Sequence, residues 1–196
     1  MLAEGRVTLR PICANDLPLL LRWMSDPRLM RHWAQPVPLV TEEQLAQDLA
    51  GRFARFDTAG YFMIEREDGA AIGRIEFEQL DERSRSAEVM ILIGDPDARG
   101  KGYGTEAMVA LLRYLFHQRN LHRVYLTVLA WNTPAQRSYA KAGFVVEGRL
   151  RDDVYFDGHY HDQLVMGILR EEFDARWPPG QNGIPASSSS RTECSS

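Results

Sequence analysis

The sequence predicts a single α/β domain whose central sheet carries strands in both directions, and three observations predict it. An apolar run, Val89 to Ile93, is stopped by Gly94-Asp95-Pro96 and followed, after a glycine-rich loop, by a long helical pattern. A second run, Arg123 to Leu129, is apolar on both faces and also leads into a helix, as a central strand of an α/β sheet does. Around these lie alternating segments joined by tight turns, Glu67-Asp68-Gly69 and Asp157-Gly158, which demand antiparallel hairpins. The chain has 196 residues, 44% of them hydrophobic, enough for one core.

Taken in order, Arg6 to Arg10 alternates through Val7 and Leu9 and reads as a first strand ended by Pro11. Asn15 or Asp16 is placed to cap a short helix through Leu17, Leu20, Leu21 and Met24, stopped at Asp26-Pro27. Met30 to Trp33, with Pro36 and Pro38, reads as a loop. Thr41-Glu42-Glu43-Gln44 has the form of a capping box, and Leu45, Leu49, Phe53 and Phe56 follow at helical spacing. Tyr61–Glu65 and Ala71–Leu80 read as a hairpin. Glu76 and Glu78 share one face of its second strand. They suit either a functional pair, holding an ammonium or a proton-accepting water, or the wet face of a half-buried strand.

In the next strand Glu88, Met90 and Leu92 lie on one face, and Val89, Ile91 and Ile93 on the other. Met108, Leu111, Leu112, Leu115 and Phe116 then form a helical core stripe. Asn132-Thr133-Pro134 starts a further helix, which Gly143 stops. Phe144–Val146, Val154–Phe156 and Tyr160–Leu169 read as closing strands. Pro178 to Ser196 is rich in Ser, Pro and Gly, has little to bury, and reads as a disordered tail after a domain of residues 1–177.

The loop Arg99-Gly100-Lys101-Gly102-Tyr103-Gly104 carries the chemistry. Three alternate glycines let a ligand approach the backbone, and the helix opening at Thr105 offers free amides at the positive end of its dipole. That combination cradles phosphate, with Arg99 and Lys101 to reinforce it. A P-loop of the form GxxxxGK(S/T) is absent. Gly102 to Ala107 satisfies GxGxxA. It does not follow its strand directly, however, and Arg123–Leu129 lacks the acid that a dinucleotide site requires.

Arg-x-x-Gly-x-Gly after a strand, with Asn132-Thr133-Pro134-Ala135 to Tyr139-Ala140-Lys141-Ala142-Gly143-Phe144 and then Glu147-Gly148, resembles the two signatures of the GNAT superfamily of acetyl-CoA-dependent N-acetyltransferases. The likeness spans roughly Val7 to Phe173 and is greatest to the ribosomal-protein N-terminal and spermidine/spermine acetyltransferases. It implies a GNAT-like mixed sheet with two splayed central strands flanked by helices. The strand end at Ile91, Leu92 and Ile93 would hold the pantetheine arm of acetyl-CoA, backbone from Arg99 to Thr105 (Gly100, Lys101, Gly102, Tyr103 and Gly104 included) its pyrophosphate, and Asn132 the cofactor arm. Tyr139 sits where relatives place the acid that protonates the departing thiolate, although packing of a tyrosine on its helix is the alternative. The early helices would cover the acceptor site, with Trp33 as a wall of it or as plain packing.

Direct attack by a primary amine needs no enzyme nucleophile, which suits a chain without a Ser/His/Asp signature. It does need a proton acceptor, and Glu88 and Glu76 are the candidates. The expected acceptor is a small amine or polyamine, or a protein N-terminus; a non-catalytic acetyl-CoA-binding regulator is the alternative. Residues 61–98 hold ten acids and four bases, net −6, while residues 99–150 hold two acids and eight bases, net +6. The basic half suits a polyanionic cofactor. The acidic half suits a cationic amine or is plain solvated surface. Cys13 and Cys194 form no metal or disulfide framework, and the hairpin pair His159 and His161 reads as surface, so no metal is expected. The net charge of −4 argues against nucleic acid. No leader or span-length segment is visible, which points to a cytoplasmic protein away from membranes. A homodimer is left open.

Overall fold

The computed structural model describes residues 1–178 apart from Pro36, Leu39 and Phe56, with backbone alone for Phe53. The expected tail from Pro179 onward, like the placement of Phe56 on a helix, lies outside the described residues. Strands β1 (Leu2–Glu4) and β2 (Val7–Pro11) are followed by helices α1 (Leu17–Met24), α2 (Pro27–Arg31) and α3 (Glu42–Phe53). Then come β3 (Gly60–Arg66), β4 (Ala71–Asp81), β5 (Ser86–Ile93), α4 (Tyr103–His117) and β6 (Arg123–Leu129). The chain continues through α5 (Thr133–Ala142), β7 (Val145–Phe156), β8 (His159–Leu169) and α6 (Arg170–Arg176). Among the described residues no helix is long and apolar enough to cross a membrane.

The strands form one sheet in the order β1-β2-β3-β4-β5-β6-β8-β7. Every neighbouring pair is antiparallel except β5 and β6, which run parallel. Side-chain alternation divides the interior in two. On one face Val7, Ile75, Phe77 and Val89 pack against Met108, Leu111, Leu112 and Leu115 of α4 and Phe173 of α6. On the other, Tyr61, Met63 and Leu92 pack against Leu20, Trp23, Leu29, Met30, Leu45 and Leu49 of α1 to α3.

Local signals account for the helix ends. Thr41 Oγ1 accepts from the Gln44 amide at 3.3 Å while Gln44 Oε1 accepts from the Thr41 amide at 2.9 Å, the reciprocal bonds of a capping box. Gly143 ends α5 with φ 118°, which a side chain would resist.

Several expectations need correction. Asp16 does not cap α1 with its side chain. Its carboxylate accepts from the Cys13 amide and, in a bidentate pair at 2.7 Å, from Arg10, because a half-buried guanidinium needs such a partner. Met30 and Arg31 belong to α2, whose N-terminus is capped by Asp26, with Pro27 at its first position. Segments 145–146 and 154–156 are parts of one strand, β7, since irregularities in its pairing with β8 absorb the polar stretch between them; Phe144 precedes the strand. Helix α4 is buried all round from Ala107 to Leu112, more than one stripe, because β1, β2 and α5 pack on it as well as the sheet. Glu76 is not on a wet face: helices cover that side of β4 and leave it 2% exposed.

Candidate active site

Strands β5 and β6 are paired only over Ser86–Glu88 and Arg123–Tyr125. Beyond that point β5 stays with β4 as far as Ile93, and β6 stays with β8 as far as Leu129. Each inner edge is therefore left without a strand partner, and the two diverge. A cavity of about 710 Å³ occupies the opening, with Met90, Ile91, Leu92 and Ile93 on one side and Thr127, Val128 and Leu129 on the other.

At one end of the cavity lies the glycine loop. Asp95 caps a short turn over Pro96–Ala98 by accepting from the Asp97 amide at 2.9 Å. Arg99 then folds back, donating to the carbonyls of Ile93 at 3.1 Å and Gly94 at 2.9 Å. Its guanidinium thus pins the loop to the end of β5 while Arg99 remains part of the cavity lining. Gly100 and Gly102 take φ values of 72° and 94°, and Gly102 is the N-cap of α4. The first bonds of that helix are those of Thr105 and Glu106 to the Gly102 carbonyl, so the amides of the preceding turn stay open.

Gly100, Gly102, Gly104 and Thr105 line the cavity; Lys101 and Tyr103 do not. The Tyr103 ring faces the Arg6 guanidinium, 4.5 Å away, and Arg6 also holds the Lys101 carbonyl at 2.8 Å and the Glu106 carboxylate. Of the two, only the Lys101 side chain was expected to reinforce a phosphate cradle, Tyr103 being expected there through its backbone; Arg6, nearly a hundred residues upstream, holds this side of the loop.

Helix α5 supplies the opposite wall. Asn132 Oδ1 caps it, accepting from the Ala135 amide at 3.4 Å, and Asn132 Nδ2 donates to the His32 carbonyl at 3.4 Å. Thr105 and Ser138 hydroxyls meet at 3.0 Å and tie α4 to α5. Tyr139 is half-buried on the cavity wall, its ring 6.1 Å from that of Phe144, and burial pushes its phenol up to about 12. Arg137 and Lys141 line the same wall and bring positive charge toward the glycine loop.

The two carboxylates expected to accept a proton lie elsewhere. Neither Glu76 nor Glu88 is among the residues lining the cavity. Glu76 sits 3.6 Å from Arg74, its Oε2 without a hydrogen bond among the described residues. Burial raises its pKa against the charges of Arg74 and Arg52. Arg74 lies 5.1 Å over the ring of Trp33, and Trp33 both packs on the second core and lines the cavity, so the acid is roofed off. Glu88 accepts from Gln79 at 2.9 Å, and burial, then Glu78, raises its pKa. Glu78 itself is held by Tyr61 and by Arg52 of α3.

Sequence reasoning missed His32, Gln35, Gln163, Arg137 and Lys141, all of which line the cavity. For α5 a signal existed: Pro134, Arg137, Ser138 and Lys141 fall at i, i+3, i+4 and i+7, one helical face. For His32 and Gln163 none existed, since their place depends on how distant segments pack.

Residues 6–145 match the acetyltransferase (GNAT) domain model. The chain is 31% identical over 177 residues to the spermidine N(1)-acetyltransferase of Escherichia coli (strain K12), covering 89% of this chain and 92% of that one. It is 32% identical over 107 residues to a putative ribosomal N-acetyltransferase of Bacillus subtilis (strain 168), covering 55% and 58%. The crystal structure of spermidine N-acetyltransferase from Vibrio cholerae in complex with CoA and spermine matches the fold with a TM-score of 0.78, at 29% identity, over 86% of this chain and 98% of that one.

Proposed function

Because this chain belongs to the GNAT acetyltransferase family, we propose that the amine it acetylates is a polyamine of the spermidine class. The chain is an acetyl-CoA-dependent N-acetyltransferase, which sets aside the reading as a non-catalytic regulator. The observation that carries the substrate class is the near full-length likeness, in sequence and in fold, to spermidine N-acetyltransferases, one of them solved with CoA and spermine. The putative ribosomal relative matches little more than half of the chain, which makes a protein N-terminus the lesser reading.

The residues present fit acetyl-CoA as donor. Gly100, Gly102 and Gly104 remove side chains where a pyrophosphate would meet the amides of the loop and of the first turn of α4. Arg137 and Lys141 add charge for a polyanion. The open edge of β5 through Ile91, Leu92 and Ile93 suits an extended arm that adds to the sheet, with Asn132 across from it. When bound, acetyl-CoA supplies the activated acetyl group; Tyr139 would donate the proton that the leaving thiolate requires.

The acceptor would enter past His32, Trp33 and Gln35, with Gln163 of β8 at the other side. The same reading places the protein in the cytoplasm. Exposed Val145 and Val146 on β7 support a homodimer within it.

The test is CoA release with spermidine, spermine, a simple monoamine and N-terminal peptides at matched concentrations. The polyamines should exceed the peptides in kcat/KM by about tenfold or more, roughly 1.4 kcal/mol of discrimination. Faster turnover of a peptide would overturn the assignment of the acceptor.

A further inference from the structure

We propose that His32 is the residue that takes the proton from the attacking amine. The assignment rests on the acetyltransferase activity of the chain and holds whichever amine is the acceptor. Among the described residues lining the cavity there is no carboxylate. The titratable side chains there are His32, Tyr139, Arg99, Arg137 and Lys141. Of these only an imidazole is both unprotonated and basic near neutral pH. Arginines stay charged, a lysine ordinarily does, and burial holds the Tyr139 phenol protonated.

His32 is also built into place. It directly follows α2, its amide donates to the Leu29 carbonyl at 3.0 Å, and its own carbonyl accepts from Asn132 Nδ2 at 3.4 Å. Asn132 is the cap of α5, the helix that carries Tyr139, so one side chain sets the spacing between the proposed proton acceptor and the proposed donor. The ring lies 5.9 Å from that of Trp131, tilted by 37°, and neither ring nitrogen has a hydrogen-bond partner among the described residues. A ring lone pair is therefore uncommitted on a residue that lines the cavity. The residue is exposed at the rim, so a captured proton has a route to solvent.

The charged groups that face it are Arg99 from the glycine loop and Arg31 from α2; no carboxylate is among the groups that shift it. Partial burial first, and then these two charges, lower its pKa below the ordinary value of 6.5, which keeps the ring neutral at pH 7. In the transfer the neutral amine nitrogen bonds to the thioester carbon and the carbon–sulfur bond breaks. The surplus N–H proton passes to His32, and the thiolate receives a proton from Tyr139. Solvent then takes the proton from His32 and restores that of Tyr139. The products are the acetamide and the CoA thiol.

The experiment compares the parent with His32→Gln and His32→Ala, each with the amine the parent turns over fastest. A wrong polyamine assignment then shows in the parent, and a wrong base only in the variants. Both variants should keep the parent melting temperature and bind acetyl-CoA within about threefold, while kcat/KM falls by about 10². In the parent, kcat/KM should drop as pH falls through a value below 6.5; that acid limb should vanish in His32→Gln. Added imidazole should restore His32→Ala in proportion to its concentration and leave His32→Gln unchanged. Turnover within about threefold of the parent would overturn the assignment. So would a large loss that keeps the acid limb and ignores imidazole, because His32 would then be a packing residue.

Discussion

Tyr139 shows how one hydroxyl on the cavity wall can be read two ways. A phenol near 12 gives a proton to a thiolate near 8.5 only by climbing roughly 5 kcal/mol, so complete transfer from Tyr139 to the free thiolate is uphill. What burial secures is a donor that keeps its proton across the working pH range and yields it only as the carbon–sulfur bond breaks. Tyr139→Phe deletes that hydroxyl and leaves the ring against Phe144. Its kcat should fall by about 10² or more, while acetyl-CoA affinity moves by less than about threefold, as measured by steady-state kinetics beside direct titration. With the phenol at about 12, any alkaline limb of the kcat profile below pH 10 should persist in the variant. The place of Gly100, Gly102 and Gly104 on the cavity was legible in a local pattern, and that of Tyr139 and Asn132 through the family resemblance of the helix that carries them. Glu76 and Glu88 were legible as to face, by strand parity, but parity does not say that α1 to α3 will roof that face. His32 was illegible because its tie to Asn132 spans a hundred residues.

At the scale of elements, the turn into α4 decides whether a polyanion can be held. Gly102 sits at φ 94°, and a Cβ there would meet Arg6 Nη2 at 3.3 Å. Gly102→Val meets two obstacles: left-handed backbone costs a residue with a Cβ on the order of 1–2 kcal/mol, and the new side chain crowds the amides of the first turn. Acetyl-CoA affinity should drop by about tenfold or more by calorimetry, one factor of ten being about 1.4 kcal/mol. Gly148→Ala is the matched control, since its Cβ would meet nothing within 4 Å and its φ is not positive; affinity there should stay at the parent value. An equal loss in both variants would detach the loop from the cofactor. This loop, α3 and α5 were readable because caps and glycines are written locally. The merging of β7 was not, because its polar middle takes its conformation from pairing with β8.

The whole molecule is two sheet blocks joined at a short parallel seam. Strands β1 to β5 form one block and β6, β8 and β7 the other. Three residue pairs, Ser86–Arg123, Ala87–Val124 and Glu88–Tyr125, are all the strand pairing between them. Further connections run through α4 and its contact with α5, and through the hydrogen bonds Asn132–His32 and Tyr125–Gln79. A ligand lying along the open edges would bridge the blocks where the protein leaves them apart, and it would bind the folded state alone. At 100 times its dissociation constant such a ligand adds about 2.7 kcal/mol of stability. For a domain of this size each kcal/mol raises Tm by about 2–4 °C, so acetyl-CoA should lift Tm by roughly 5–10 °C. NADH carries a pyrophosphate but no pantetheine arm to follow β5, and should produce little shift. Hydrogen exchange gives the location: amides of Val89–Ile93 and of the loop through Thr105 should slow with acetyl-CoA, while those of the β7–β8 hairpin tip at Asp157-Gly158 should not. Equal melting shifts with both ligands, or protection confined to the hairpin, would place the ligand away from the seam.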